Sequence, residues 1–268
     1  MINSMFTQQN PAIFDEKKIN SRLLNTSVRA QVLEECDSTS LYLMRQCKAG
    51  NPVHAQAVLA IRQTHGRGRQ GKSWVAPVGT TIPISLAWEF DLPAAKLSAL
   101  PLVVALAVWQ VLTTLDVPAQ IKWPNDIVIE QAKLGGILVE TLQTGTKSVA
   151  IIGIGLNLAA PVIKEQNALG IWDYAPQCQP NYLVSLLLLA LNHALNEFST
   201  HGFSVFKKAY LQANRDLNKP VVLWQGQNIL AQGVVEGVDE GGALILRTEQ
   251  GLQKFISGQI SLRSGGMI

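Results

Sequence analysis

Lys122–Leu158 reads KWPNDIVIEQAKLGGILVETLQTGTKSVAIIGIGLNL. With Gln120 and Ile121 just before it, this stretch holds four β-rich runs: QIKW, DIVIE, KLGGILVETLQ and SVAIIGIGLNL. Turn residues bound each of them. The links between the last three are too short for helical crossovers, so these runs are expected to pair as antiparallel hairpins. Helical patterns lie in groups to either side rather than alternating with strands. That grouping predicts an α+β fold on a mixed or antiparallel sheet.

Upstream, ECDSTSLYLMRQCKAG predicts a helix, with Asp37 and Ser38 as capping candidates and Gly50 as its stop. AQAVLAIRQ reads as a buried strand that runs directly into QTHGRGRQGKSW, Gln63–Trp74. TTIPISLAWEF is a second strand, in which Pro83 suggests an edge or a bulge. An apolar helix follows from about Ala95 to Leu115, and two more span about Tyr182–Ser199 and Phe203–Asn214. After RDLNKP the texture changes to short strands joined by glycine-containing turns, which predicts a small β-barrel. The expected organisation is a tail or short helix over 1–30, a main domain over 31–216 and a β-rich domain over 217–268.

Composition narrows the functional classes. Hydrophobic residues make up 47% of the 268 and charged ones 15%, which disfavours long disordered tracts. A net charge of +3 is too small to signal nucleic-acid binding by itself. Cys36, Cys47 and Cys178 show neither CxxC spacing nor a histidine pair, so they read as reduced thiols rather than a disulfide framework or zinc site. The first residues hold no apolar signal core, and polar residues interrupt the two most apolar stretches. The expectation is a cytoplasmic protein with no membrane partner.

The motifs carry the chemistry. In HGRGRQGK, glycines permit close backbone approach to a ligand, and arginine forks suit phosphate oxygens. The spacing matches neither a Walker loop nor the dinucleotide fingerprint. A solvated basic turn and a nucleic-acid or nuclear-targeting patch remain open on composition alone. Trp123-Pro124-Asn125 is a turn that either packs its tryptophan or presents Lys122, Asn125 or Asp126 to a nucleotide. Lys133, ahead of paired glycines, is either a solvated edge charge or a group that neutralises an acyl or phosphoryl oxygen. Gly153 and Gly155 clear space on a strand, and Asn157 can hydrogen-bond a ring edge or carbonyl.

Taken in order, ECDSTS, QTHGRGRQGKSW, KWPND, KLGGILVE and GIGLNL closely resemble the biotin protein ligases, from about Val32 to the closing GQISLRS. The resemblance implies a class II synthetase-like catalytic domain of the biotin/lipoate ligase type with an SH3-like β-barrel after it. It implies activation of biotin by ATP to biotinyl-5′-AMP, then transfer to a lysine of the biotin carboxyl carrier protein of acetyl-CoA carboxylase. Ser38, Thr39, Ser40 and Gln63 match the biotin-contacting positions, and Arg67, Gly68 and Arg69 match the basic loop over biotin and phosphate. Lys133 matches the lysine at the biotin carboxylate; with Arg67 and Arg69 it is the expected catalytic set. Arg69, Lys72, Lys122, Asn125, Asp126, Asn157, Trp172 and Arg263 fall at expected ATP-binding positions. No protein metal site is implied; Mg²⁺ would be carried by ATP.

The loop is expected to be mobile without ligand. Ser40, where the family commonly has asparagine, and His65, where it commonly has a small residue, depart from the pattern. Some relatives carry an N-terminal winged helix that acts as a repressor. Here 35 residues precede Cys36 with no helix-turn-helix pattern, so a form without repressor activity is expected. Nucleic acid is not an expected partner, and relatives can form homodimers.

Overall fold

The structure, a computed structural model, describes residues 14–161, 167–258 and 260–264. The parts of the expected terminal segments at 1–13 and 265–268 lie outside the described residues. Five helices are present among them: α1 (Glu16–Asn20), α2 (Thr39–Lys48), α3 (Leu100–Thr113), α4 (Pro180–His201) and α5 (Ser204–Ala213). The main sheet uses β1 (Arg29–Cys36), β2 (Gln56–Gln63), β3 (Thr81–Phe90), β4 (Gln120–Lys122), β5 (Asp126–Ile129), β6 (Ala132–Thr144) and β7 (Lys147–Asn157). Its order is β1-β2-β3-β7-β6-β5-β4. Only β1 and β2 run parallel, as a pair linked through α2; the other neighbours are antiparallel. The sheet is mixed, and the hairpins read from Gln120–Leu158 are present.

Strand alternation assigns the two faces of this sheet. On β3, Ile82, Ile84, Leu86 and Trp88 join the large core with α3 and α4, whereas Ala87 joins a smaller cluster with Leu43 of α2. On β7, Ile152, Ile154 and Leu156 face the large core, and Ile151 faces the smaller one. The α2 face therefore carries Pro83 and Ser85 on β3, and Gly153 and Gly155 on β7. Register aligns Ser85 with Gly153 and Leu138, and Pro83 with Gly155 and Gly136. Two cross-strand rows of mostly small side chains form a recess in the sheet.

Pro83 lies in an interior strand. The ladder from β3 to β2 covers only Ala57–Leu59, ending at Ile84, so Pro83 occupies a local edge inside the sheet. The segment 94–113 is long and apolar enough to cross a membrane by length and composition, yet its most apolar part is mostly buried in the protein, the pattern of a core helix. The leading helix also docks on the body: Ile19 and Leu23 are fully buried in the large core. Just ahead of α1, the Asp15 N–H donates to Asn181 Oδ1 at 2.8 Å.

The C-terminal module is a five-stranded antiparallel sheet of β8 (Pro220–Gln225), β9 (Asn228–Val238), β10 (Leu244–Thr248), β11 (Gly251–Phe255) and β12 (Ile260–Ser264), ordered β11-β10-β9-β8-β12. Its Leu223, Val235, Leu244, Leu246 and Leu262 belong to the same buried cluster as α3 and α4. Polar contacts reinforce this union. Trp123 Nε1 donates to Gly242 O at 3.1 Å, and Arg69 Nη2 donates to Ser257 O at 2.8 Å. The KWPND turn is thus pinned to the second module by its tryptophan.

Candidate functional site

The glycine- and arginine-rich stretch folds as a closed hairpin. Trp74 N–H donates to Gly66 O at 2.9 Å, Arg67 bridges Ser73, and Gly68 N–H donates to Lys72 O at 2.7 Å. At its tip Gln70 and Gly71 take positive φ of 58° and 72°. Gly66 answers a close approach: a Cβ there would stand 2.2 Å from Trp74 O. Two arginines fasten this hairpin. Arg67 Nη1 donates to Glu140 Oε2 at 2.9 Å. Arg69 donates through Nη1 to Asn125 Oδ1 and through Nη2 to Ser257 O and Gly258 O, all at 2.8 Å. The hairpin therefore spans both sheets.

Beneath it lies a cavity of about 630 Å³, floored by the two small-residue rows and walled on one side by Ile260, Ser261 and Leu262 of β12. Two kinds of chemistry line it. The first is neutral: Ser38 Oγ lies 3.0 Å from Ser40 Oγ, and Thr39 N–H donates to Gln63 Oε1 at 3.0 Å. Thr39 Oγ1 lies 2.8 Å from Ser85 Oγ. The second is cationic: Lys133 Nζ donates to Asp126 Oδ1 at 2.6 Å, with Lys122, Arg67, Arg69 and Lys72 also on the wall. Burial pushes the Lys122 ammonium below the usual lysine range, with the Asp126 carboxylate opposing that shift. Desolvation acts the same way on Arg69.

Of the expected site residues, Ser38, Thr39, Ser40, Gln63, Arg67, Gly68, Arg69, Lys72, Lys122, Asn125, Asp126 and Lys133 all line this cavity. Three do not. Asn157 is buried, and its Nδ2 donates to Lys133 O and Leu169 O, so its carboxamide braces the backbone beside a small separate void. Trp172 Nε1 donates to Cys178 O at 3.0 Å, and its ring packs against the large core. Arg263 is not on the cavity wall and stacks on the Trp224 ring, 4.5 Å from its centroid.

Three residues without an expected role complete the site. Trp74 lies against Gly155, where a Cβ would stand 2.4 Å from its ring, and Lys133 Nζ is 5.8 Å from that ring's centroid. Glu140 receives Arg67, and Ser85 meets Thr39. The glycines of GIG signalled cleared space; its occupant, the tryptophan that closes the basic stretch, lies too far along the chain to be paired with them by spacing.

Among the described residues, no cluster of three or more His, Cys, Asp or Glu could hold a metal. Asp126 is the single carboxylate residue on the described cavity wall, and it is ion-paired.

The mixed sheet thus offers a recess that joins neutral hydrogen-bonding groups to clustered cations, and a small β module closes one side of it. Residues 32–157 match the biotin/lipoate A/B protein ligase family, and 216–263 match the biotin protein ligase C-terminal domain. The chain is 31% identical to the bifunctional ligase/repressor BirA of Escherichia coli K12, over 94% of this chain and 79% of that protein. It is 32% identical to the biotin–[acetyl-CoA-carboxylase] ligase of Paracoccus denitrificans, over 76% of this chain and 88% of that one. A solved structure of the Aquifex aeolicus biotin protein ligase with biotin and ATP superposes with a TM-score of 0.74 at 28% identity, covering 88% of this chain and 99% of that one. The chain belongs to the biotin protein ligase family.

Proposed function

We propose that this chain activates biotin with ATP and transfers it to a lysine of a biotin carrier domain. In the first step a biotin carboxylate oxygen attacks the α-phosphorus, forming biotinyl-5′-AMP and expelling pyrophosphate. In the second, a lysine amine attacks the acyl carbonyl, AMP leaves, and the amine loses a proton. The observation that carries this reading is the pairing, in one cavity, of neutral hydroxyl and carboxamide groups with a cation cluster. Biotin's ureido head is neutral and rich in donors and acceptors, whereas its carboxylate and the triphosphate are anionic.

In this reading Ser38, Thr39, Ser40 and Gln63 receive the ureido head. Lys133, with Arg67 and Arg69, offsets the repulsion between carboxylate and phosphate and stabilises charge on the phosphoryl oxygens. Lys72, Lys122, Asn125 and Asp126 flank the nucleotide. Mg²⁺ arriving on the triphosphate would supply further charge neutralisation. The hairpin over the cavity excludes water from a hydrolysable mixed anhydride. The carrier is the biotin domain of acetyl-CoA carboxylase, in line with the name of the Paracoccus relative, and the setting is the cytoplasm.

A lipoate or octanoate ligase would use the same scaffold, but a wholly apolar acyl tail gains nothing from Thr39 and Ser38. The test supplies purified protein with MgATP and biotin, lipoate or octanoate. Pyrophosphate release and mass gain on a carrier domain are followed in parallel. Biotin-dependent signals in both are expected. Activity with lipoate and silence with biotin would retain the scaffold and overturn the substrate.

A further inference from the structure

We infer that Ser85 is a positioning residue for recognition of the ureido head, acting through Thr39; the inference rests on the biotin reading above. Ser85 sits in TIPISLAWEF, a strand that is otherwise almost wholly apolar. Its alternate neighbours Ile84 and Leu86 point into the large core, so the hydroxyl points to the recess. In the two floor rows, Ser85 is the one residue with a polar side chain; the others are Pro83, Gly136, Leu138, Gly153 and Gly155.

Ser85 is 1% exposed. A buried hydroxyl needs a partner, and this one has Thr39 Oγ1 at 2.8 Å. Thr39 is in turn tied to Gln63, whose Oε1 accepts from its backbone N–H at 3.0 Å and lies 3.4 Å from its hydroxyl. Gln63 Oε1 can only accept. A proton from Thr39 toward Gln63 therefore leaves Ser85 as donor to Thr39, whereas a proton from Thr39 toward Ser85 leaves the Ser85 proton for the cavity. Either order removes the rotational freedom that a lone threonine hydroxyl would have. Ser85 thus narrows to two the arrangements of donors and lone pairs that face the ligand before it arrives.

Gly153 supports this assignment. A Cβ there would lie 3.6 Å from Ser85 Oγ and 3.5 Å from Leu138 O, so the glycine keeps open the floor directly beside the hydroxyl pair.

The experiment is a double-mutant cycle on the full chain with Ser85→Ala, Thr39→Val and the double variant. It reads the KM for biotin, the KM for ATP, kcat of pyrophosphate release, and the melting temperature. Ser85→Ala should raise the biotin KM about tenfold, the scale of one lost hydrogen bond to a buried group, while ATP KM and kcat stay within about twofold. In the Thr39→Val background, Ser85→Ala should add almost nothing, because the partner through which it acts is gone. An unchanged biotin KM in Ser85→Ala overturns the inference, and so do fully additive effects. A lowered melting point with both KM values raised together shows a structural role instead and also overturns it. Wild-type protein that is silent with biotin marks failure of the ligase reading, a separate result.

Discussion

Gly155 has no side chain because Trp74 occupies its place: a Cβ at 155 would stand 2.4 Å from the Trp74 ring. The indole reaches β7 from the end of the basic hairpin, so a backbone position in the sheet sets where that hairpin lands. Gly155→Ala must either move the tryptophan or bend the strand. Overpacking of this kind costs about 1–3 kcal/mol. Adenylation should fall with it, since Lys133 lies beside the same ring. Denaturant unfolding and pyrophosphate release on one preparation check this, and wild-type values in both would show that the contact is dispensable.

Lys133→Ala tests the cationic wall. The ammonium is expected to act on charge that develops at the phosphoryl group, so kcat for pyrophosphate release should fall about a hundredfold or more. Biotin binding measured without ATP should weaken far less. A variant that adenylates at the wild-type rate would reassign Lys133 to the structural ion pair with Asp126.

Arg69→Lys keeps the charge and removes the fork. A single ammonium cannot reproduce a planar guanidinium that reaches Asn125, Ser257 and Gly258 together. Amide hydrogen exchange should accelerate at the hairpin and at 256–258 alike, with adenylation reduced about tenfold. Faster exchange at the hairpin alone would mean that the C-terminal turn is held by other contacts.

Asp37 supplies a pH signature. The Arg45 guanidinium holds its carboxyl at about 2, helped by the Ser38 N–H and opposed by burial. The folded pKa lies below the ordinary 3.8, so the stabilisation is present above that value and is lost as pH falls toward 2. Arg45→Gln should flatten this part of the acid limb in a series of denaturant titrations between about pH 5 and pH 2. Parallel curves for the two proteins would show that the pair contributes nothing, as many exposed pairs do.

Most of the fold was legible because its signals are local. Hairpin spacing set β4 to β7, glycine-containing turns set β8 to β12, and interrupted apolar runs set α3 and α4. The site was legible where a motif places its own side chains, as at Ser38–Ser40 and Lys133. It was less legible where one element's side chain completes another. Nothing near Ser85 announces Thr39, 46 positions away, nor does Gly155 announce Trp74. Arg263 and Trp172 stand for the reverse case. Each belongs to a recognisable stretch, yet Arg263 stacks on Trp224, and a bond to Cys178 O holds Trp172 against the core.

The floor of the cavity makes its size adjustable in one direction. Gly136, Gly153 and Gly155 are already the smallest residues available, so any substitution there raises the floor and none lowers it. Within the two rows, the floor is lowered only by trimming Leu138, Pro83 or Ser85. Drift at the glycines can therefore only narrow the range of acyl groups accepted, which makes loss of substrates easier to reach than gain.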